Sequence, residues 1–229
     1  MYLSMGILAV FSILLVLKMH VFPSAISNWL IDIPVAHRGF YDNSKNIPEN
    51  SMMAFKRAVE RGYAIEFDVM LSKDGHVIVH HDHDLKRLSK VNERVEDLSR
   101  KELQTYTLLE TDEVLPTLQE VLELVEGRVP LYIEIKHEGY AAAGALEKGV
   151  ARLLERYEGR VAILSYTPQS LQWFSKNAPQ YYRGQNFDPD DVAERGSFDL
   201  FLSALQQAWV ARAHFFVYDH ATMSKTVLR

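Results

Sequence analysis

Carboxylates occur in pairs within two segments of the chain whose other residues are apolar. In residues 65–69 (IEFDV), strand geometry places Glu66 and Asp68 on one face and the three apolar side chains on the other. Glu134 and Lys136 alternate with isoleucines in the same way. If the apolar faces pack against helices, three carboxylates converge on one interior, and a single lysine does not balance their charge.

This surplus of buried negative charge predicts a bound divalent cation. Glu66, Asp68 and Glu134 offer oxygen ligands, and the sequence contains no cysteine, so Mg²⁺ or Ca²⁺ suits the site. The alternative is a structural network in which Arg or Lys side chains pair with the carboxylates. We favour the cation because the pattern occurs on two separate strands.

The turn that precedes His81 predicts that this residue lies beside the carboxylates. Residues 72–75 (SKDG) separate two apolar segments by too few residues for a parallel crossover, which indicates a hairpin. With a two-residue loop at 74–75, Asp68 lies opposite His81, and directly opposed residues share a face. The surrounding run HHDHD at 80–84 is also compatible with a solvated polar loop or a transition-metal site.

His37 and Arg38 end the first strand-like segment and supply further groups for phosphoryl chemistry. Arg38 offers a forked anion-binding side chain, and Gly39 would let a ligand approach the backbone. One histidine, His37 or His81, can deprotonate an attacking hydroxyl group while the other protonates the leaving oxygen. The cation and the basic side chains would stabilise charge on the remaining phosphate oxygens.

Strands and helices alternate from residue 33 onward, as in a mostly parallel sheet with crossover helices. Seven apolar segments of strand length favour a β/α barrel over an open doubly wound sheet, and the sequence carries no GxGxxG fingerprint. The predicted strands are 33–37, 64–71, 77–81, 131–136, 161–166, 181–186 and 214–219. Four helices are predicted. The first begins at Asn50 or Ser51, the second begins at Thr117, and the other two cover residues 147–158 and 169–176.

Charge and composition restrict the class of partner. The chain has 229 residues, a formal net charge of −5 and 24% charged residues, an ordinary globular share. An acidic body binds polyanions poorly, so we expect no nucleic-acid partner. The absence of cysteine excludes disulfides, thiolate nucleophiles and cysteine-ligated zinc.

The first part of the sequence predicts a single membrane anchor. Residues 2–17 carry no charge, and extension past Lys18 to residue 22 gives enough helix to cross a hydrocarbon core of about 30 Å. A cleaved signal peptide would need a basic segment before the apolar run, and a buried helix would need a polar face. Lys18, on the C-terminal side of the run, favours a cytoplasmic body. The expected parts are an anchor at 1–22, a connector at 23–32 and a catalytic body at 33–229.

A series of short motifs gives the chain a family resemblance. The motifs are HRG at 37–39, PENS at 48–51, IEFDV at 65–69, SKDG at 72–75, HD at 81–82 with Leu85 and Arg87, PTL at 116–118 and IEIK at 133–136. In this order they resemble the glycerophosphodiester phosphodiesterase family over roughly residues 34–186. The resemblance implies a TIM-type barrel that hydrolyses glycerophosphodiesters to an alcohol and glycerol 3-phosphate with a bound divalent cation.

The resemblance also implies a role for individual residues. The metal ligands would be Glu66, Asp68 and Glu134, and the acid/base pair would be His37 and His81. The residues that line the phosphate or metal site would be Arg38, Glu49 and Lys136.

Two further features of the family bear on this chain. Its membrane-anchored members are similar in having an apolar helix before the first strand, which makes lysophospholipids accessible as substrates besides small deacylated diesters. A further strand usually closes the family's barrel, whereas this sequence stops about ten residues after the segment 214–219. We therefore expect a barrel without its closing eighth strand. The alternative to an enzyme is a truncated barrel that binds a phosphodiester lipid or a partner without turnover.

Overall fold

The computed structural model describes residues 27–137, 143–187, 207 and 209–217. The predicted anchor at 1–22 and the last two residues of the predicted strand 214–219 lie outside these ranges. Within the described ranges, no helix is both long and apolar enough to cross a membrane.

A seven-stranded sheet forms the centre of the described fold. Its strands are β1 (Val35–His37), β2 (Ala64–Leu71), β3 (Val77–Val79), β4 (Leu131–Ile135), β5 (Val161–Ser165), β6 (Tyr182–Asn186) and β7 (Phe215–Val217). Six of them pair in parallel in the order β1-β2-β4-β5-β6-β7, and β3 pairs antiparallel with the last three residues of β2. The parallel order confirms the predicted α/β class.

Within the described residues, crossover helices lie between the parallel neighbours from β1 to β6. The helices are α1 (Trp29–Asp32), α2 (Met52–Glu60), α3 (Lys86–Ser89), α4 (Arg100–Leu103), α5 (Leu118–Val125), α6 (Ala145–Leu154) and α7 (Pro168–Asn177), with 3₁₀ turns at Asn43–Lys45 and Val95–Asp97. The side chain of Ser51 accepts a hydrogen bond from the N–H of Ala54, and Thr117 accepts one from Glu120. These caps satisfy N–H groups that the first helical turn leaves unpaired. They confirm the helix starts predicted at Ser51 and Thr117.

The two faces of the sheet differ in chemistry. On the outer face, Ile65, Phe67 and Ile133 are fully buried in one apolar cluster with residues of α2, α5, α6 and α7. The alternating residues Glu66 and Asp68 therefore point to the opposite, inner face. This is the placement that the alternation within residues 65–69 predicts.

Aromatic residues cover the amino end of the inner face. Tyr132 of β4 and Tyr182 of β6 pack edge-to-face on Trp29 of α1, with ring centroids 5.8 and 5.7 Å away. The hydroxyl of Tyr132 donates a hydrogen bond of 3.0 Å to the carbonyl oxygen of Leu30. Because one helix contacts both β4 and β6, the sheet curls around α1.

The hairpin of β2 and β3 differs by one residue from its predicted register. The N–H of His80 donates to the carbonyl of Asp68 at 3.1 Å, so Asp68 lies opposite His80 and not His81. The cause is a longer turn, closed by the hydrogen bond from Ser72 N–H to His76 O at 2.9 Å. Three residues therefore lie in the loop instead of two.

Other predicted boundaries move where local hydrogen bonding changes. β1 begins at Val35 instead of residue 33, since the preceding Pro34 has no N–H to donate to a ladder. The helix predicted at 147–158 covers Ala145–Leu154. It begins earlier because the carboxylate of Glu147 accepts the N–H of Gly144 at 2.7 Å and so caps the first turn.

Candidate active site

Three carboxylates meet at the carboxyl end of the inner face. Glu66 and Asp68 lie on β2, and Glu134 of β4 is the register partner of Asp68. All three residues are buried, and one oxygen from each lies within 4.8 Å of the others. The fold therefore brings together the three residues that the sequence predicts as metal ligands.

Hydrogen-bond donors from the loop after β1 hold the two carboxylates of β2. The backbone N–H of Arg38 donates to Oε2 of Glu66 at 3.1 Å, and Nδ2 of Asn50 donates to Oδ2 of Asp68 at 3.0 Å. Arg38 reaches this position because it adopts a left-handed φ of 57°. That conformation is uncommon outside glycine and asparagine, and strained residues of this kind cluster at functional sites.

Glu134 lies between the side-chain amide of Asn186 and the ammonium group of Lys136. Nδ2 of Asn186, at the end of β6, donates to its Oε2 at 2.9 Å. Nζ of Lys136 lies 3.4 Å from Oε1 of Glu134 and 3.5 Å from Oδ1 of Asp68. Lys136 thus faces the same interior as the carboxylates, as its spacing from Glu134 predicts.

Burial and the charges of neighbouring carboxylates disfavour ionisation of Glu66 and Glu134. Burial, followed by the charges of Asp68 and Glu134, raises the pKa of Glu66 well above its ordinary value. Burial and the charge of Asp68 raise the pKa of Glu134 to about 7, although Lys136 opposes the shift. When all three groups are ionised, their negative charge exceeds the positive charge of the neighbouring Arg38 and Lys136.

A hard divalent cation fits this donor set. The ligand atoms are carboxylate oxygens, which Mg²⁺ and Ca²⁺ prefer. Two basic side chains approach the group within the described residues: Lys136, and Arg38, whose Nε lies 3.7 Å from Oδ2 of Asp68. A cation among the free carboxylate oxygens would offset the repulsion that raises the pKa values.

His37 and His81 border the carboxylates on the side of β1 and β3. His37 is the register partner of Glu66, and its Nε2 lies 3.8 Å from Oε2 of that residue. His81 follows β3, which ends two residues earlier than predicted, at Val79. Burial lowers the pKa of both histidine rings, and for His37 the neighbouring Arg38 lowers it further.

Of the two histidines that directly follow β3, His80 is buried and His81 is accessible. His80, opposite Asp68, is only 1% exposed, and its Nε2 lies 3.1 Å from the carbonyl oxygen of Asp84. The side chain of His81 is 30% exposed. Because strand alternation stops at the end of β3, the one-residue error in register does not move His81 away from the site.

Asp82 fixes the orientation of His81. Nδ1 of His81 lies 2.6 Å from Oδ1 of Asp82, and Nε of Arg87 donates to Oδ2 of Asp82 at 2.7 Å. With Nδ1 engaged, Nε2 of His81 is the nitrogen available for proton transfer. The second nitrogen of a catalytic histidine is commonly held in this way.

Glu49 connects two arginines instead of joining the carboxylate group. It accepts hydrogen bonds of 2.7 Å from Nη1 of Arg38 and from both terminal nitrogens of Arg87. Although burial alone would raise the pKa of Glu49, hydrogen bonds from Arg87 and Asn43 lower it to about 2. Glu49 therefore holds in place Arg38, the side chain that the sequence predicts to bind an anion.

Gly39 serves the packing of α2. Its φ is 84°, and a Cβ at this position would lie 2.9 Å from Cβ of Ala54 and 3.0 Å from the ring of Phe55. The sequence suggested Gly39 as a point where a ligand approaches the backbone. Helix α2 takes up that space instead, so close packing is what requires the glycine.

Several residues with no predicted role in the site contact the predicted site residues, among them Asn43, Asn50, Asp82, Arg87 and Asn186. Asn50 was a candidate helix cap, a role that Ser51 takes. Asp82 and Arg87 belong to the motifs that carry the family resemblance. Those motifs do not indicate which residues the two side chains contact. Asn186 is the second of two polar residues that end strand β6. Polar residues at the end of a core strand are the signal that could have identified Asn186 as a site residue.

Most of the chain is similar to one known protein family. A profile of the glycerophosphoryl diester phosphodiesterase family matches residues 37–227. A glycerophosphodiester phosphodiesterase of Caldanaerobacter subterraneus subsp. tengcongensis is 39% identical over 154 residues, which make up 63% of this chain and 62% of the relative. The chain thus spans about 62% of the length of such curated relatives.

Solved structures share the fold. The glycerophosphodiester phosphodiesterase of Thermotoga maritima is 28% identical with a TM-score of 0.61, covering 81% of this chain and 73% of its own. A phosphodiesterase of Oleispira antarctica, solved with the product sn-glycerol-3-phosphate, is 21% identical with a TM-score of 0.70, covering 87% of this chain and 81% of its own. The second likeness concerns the fold alone.

Proposed function

Because the chain belongs to the glycerophosphoryl diester phosphodiesterase family, we propose that it hydrolyses glycerophosphodiesters to an alcohol and glycerol 3-phosphate with the help of a divalent cation. The observation that carries the proposal is the convergence of three buried carboxylates, a lysine and two histidines at one end of the inner face. The name of the relative from Caldanaerobacter supports the same activity.

Glu66, Asp68 and Glu134 are the proposed ligands of the cation, Mg²⁺ or Ca²⁺. When bound, such an ion stabilises negative charge that develops on phosphate oxygens. The chain prepares the ligands by holding one oxygen of each carboxylate in a hydrogen bond. Since the pKa values of Glu66 and Glu134 are raised, ion binding is coupled to the release of protons.

His37 and His81 are the proposed acid/base pair. Their lowered pKa values favour the neutral ring near pH 7, and a neutral ring can take a proton from the attacking hydroxyl group of a water molecule. As the water oxygen bonds to phosphorus, the bond from phosphorus to the alcohol oxygen breaks, and the other histidine, in its protonated form, delivers its proton to that oxygen. The products are the alcohol and glycerol 3-phosphate, and proton exchange with solvent returns both rings to their starting states.

Arg38 and Lys136 are the proposed partners of the anionic phosphate. Glu49 holds the guanidinium of Arg38 at 2.7 Å, which limits its rotamers before substrate arrives. Lys136 lies next to Asp68 and Glu134. Its positive charge therefore interacts favourably with these carboxylates and with a phosphate bound in the same interior. Fixed positive groups of this kind stabilise the charge of the transition state without reorganisation.

The finer architecture that we propose is a TIM-type barrel without its closing eighth strand. The parallel strand order, the curl around α1 and the likeness to the Thermotoga maritima structure support it. Within the described residues, β1 and β7 are the two ends of the strand order and do not pair with each other.

We also propose that residues 1–22 anchor the protein in a membrane with the catalytic body on the cytoplasmic side. The uncharged run 2–17 and the position of Lys18 support this placement. Cell fractionation should recover the full chain with membranes and a chain lacking 1–22 in the soluble fraction. Recovery of the full chain in the soluble fraction would contradict the anchor.

Product release from defined diesters tests the activity. The purified full chain with Mg²⁺ or Ca²⁺ is expected to release glycerol 3-phosphate from glycerophosphocholine. Lysophosphatidylcholine, assayed in parallel, decides whether acylated diesters are also substrates. Binding of these diesters without any turnover would instead support the non-catalytic barrel, the alternative function.

A further inference from the structure

We propose that Asn186 is a positioning residue for the metal ligand Glu134, and that neutral donors hold one oxygen of every carboxylate in the cation site. The inference rests on the function proposed above and adds residues that the carboxylates alone do not reveal. Through these donors, the chain keeps the three carboxylates oriented for metal binding before a cation is bound.

Asn186 reaches Glu134 across an intervening strand. Nδ2 of Asn186 on β6 donates to Oε2 of Glu134 on β4 at 2.9 Å, and β5 lies between the two strands. Both residues are buried, at 5% and 8% exposure, so water competes little for this bond. The other carboxylate oxygen, Oε1, faces Lys136 and the interior.

The same arrangement occurs at the other two carboxylates. Oδ2 of Asp68 accepts from the amide of Asn50 at 3.0 Å, and Oε2 of Glu66 accepts from the backbone N–H of Arg38 at 3.1 Å. All three donors are neutral. A neutral donor orients the carboxylate without adding a further positive charge to those of Arg38 and Lys136, which already lie within 4 Å of Asp68.

Stability of the fold does not explain why an asparagine occupies position 186. Its Oδ1 is buried and has no hydrogen-bond partner within the described residues. An unpaired buried carbonyl oxygen destabilises a fold, whereas leucine, of similar shape, would leave no polar atom there. The amide is thus explained by its bond to Glu134.

Asn186 permits a cleaner test than Asn50. Asn50 has a left-handed φ of 53°, which asparagine tolerates better than leucine, so its replacement changes the backbone together with the amide. Asn186 lies in a regular strand, where leucine fits the backbone. The matched control is Asn177, an exposed residue of α7 whose Nδ2 donates to the carbonyl oxygen of Trp173 at 2.8 Å.

The test is a calorimetric titration of the full chain in detergent micelles with Mg²⁺ and with Ca²⁺, without substrate. Asn186→Leu is expected to weaken ion binding by about 10–100-fold, the usual effect of losing a partner that orients a ligand. Asn177→Leu should leave the affinity unchanged. At saturating ion, KM for glycerophosphocholine should stay within about twofold of wild type, while the half-activating ion concentration rises with the dissociation constant.

An ion affinity of Asn186→Leu within about twofold of wild type would overturn the inference. If that variant does not fold, Asn186→Ser, whose hydroxyl is too short to reach Glu134, decides the question by the same titration and with the same two outcomes. A wild-type chain that binds neither ion would overturn the metal-dependent function itself, so the two failures are distinguishable.

Discussion

The two ends of the inner face are built from the same strands and carry opposite chemistry. At the amino end, Tyr132 packs on Trp29, and its hydroxyl group donates a hydrogen bond to the carbonyl oxygen of Leu30. Two residues further along β4, burial and then the charge of Asp68 raise the pKa of Glu134 to about 7. The aromatic end stabilises the fold through apolar burial, whereas the carboxylate end costs stability because it buries like charges, a cost that the proposed cation would offset.

The largest expected effect lies at the carboxylate end. His37→Ala and His81→Ala should each lower kcat by about 10²–10⁴-fold, because each removes one proton-transfer group. Both variants should retain ion affinity and thermal stability. His76→Ala, in the exposed hairpin turn, is the matched control. A loss of less than about tenfold would remove that histidine from the acid/base role.

At the aromatic end, substitution should affect stability and leave the chemistry unchanged. Tyr132→Ala is expected to lower the free energy of unfolding by about 3 kcal/mol, since it empties a buried aromatic position. Tyr132→Phe, which loses the hydrogen bond to Leu30, should cost about 1 kcal/mol. Chemical denaturation measures both. If folded Tyr132→Phe had a tenfold lower kcat, the two ends would not be independent.

The response to pH should reveal the cost of the carboxylate end. The pKa of Glu134 is about 7 in the folded, ion-free chain, above its ordinary 4.5, so the folded state binds more protons than the unfolded state between these values. This contribution to stability is present below pH 4.5 and is lost as pH rises through 7.

A divalent cation should restore that stability where the carboxylates are ionised. At an ion concentration about 100 times the dissociation constant, binding adds about 2.7 kcal/mol. We expect Mg²⁺ or Ca²⁺ to raise Tm by several degrees at pH 8 and by much less at pH 5, where protons compete. Thermal melts at both pH values measure this. Equal shifts at pH 5 and pH 8 would contradict the assignment of the raised pKa values to the ion ligands.

A smaller effect is expected from the residue that orients His81. Asp82→Asn should lower kcat by about 10–100-fold, because an amide does not fix the same ring tautomer. The carboxylate of Asp82 also raises the pKa of His81, so its loss should move the His81 limb of the pH–rate profile to lower pH. Asp112→Asn, at an exposed position, is the control. An unmoved profile would remove Asp82 from this role.

Local patterns in the sequence were sufficient to predict the carboxylates but not their neighbours. The alternation around Glu66 and Asp68 depends on strand geometry alone, and the strand formed at the predicted residues. The position opposite Asp68 depends on loop length, and the turn was lengthened by the bond between Ser72 and His76. Side-chain and backbone hydrogen bonds of this kind are not visible in hydrophobic periodicity.

Contacts across the curled sheet could not be predicted from sequence. Asn186 meets Glu134 because the sheet curls around α1, which brings β6 towards β4. Glu49 was implied only by the family resemblance, and its contacts with Arg38 and Arg87 depend on where two loops meet. Such long-range geometry follows from packing of the whole sheet and not from any one segment.

The most direct test of the central claim is the ion dependence of glycerol 3-phosphate release by the full chain and by Glu66→Gln. The account predicts that the rate saturates with Mg²⁺ or Ca²⁺, vanishes in excess chelator, and needs far more ion in the variant, which lacks one charged ligand. Glu123→Gln, on the exposed side of α5, should match wild type. Full turnover in excess chelator, or an unchanged ion requirement in Glu66→Gln, would contradict the account.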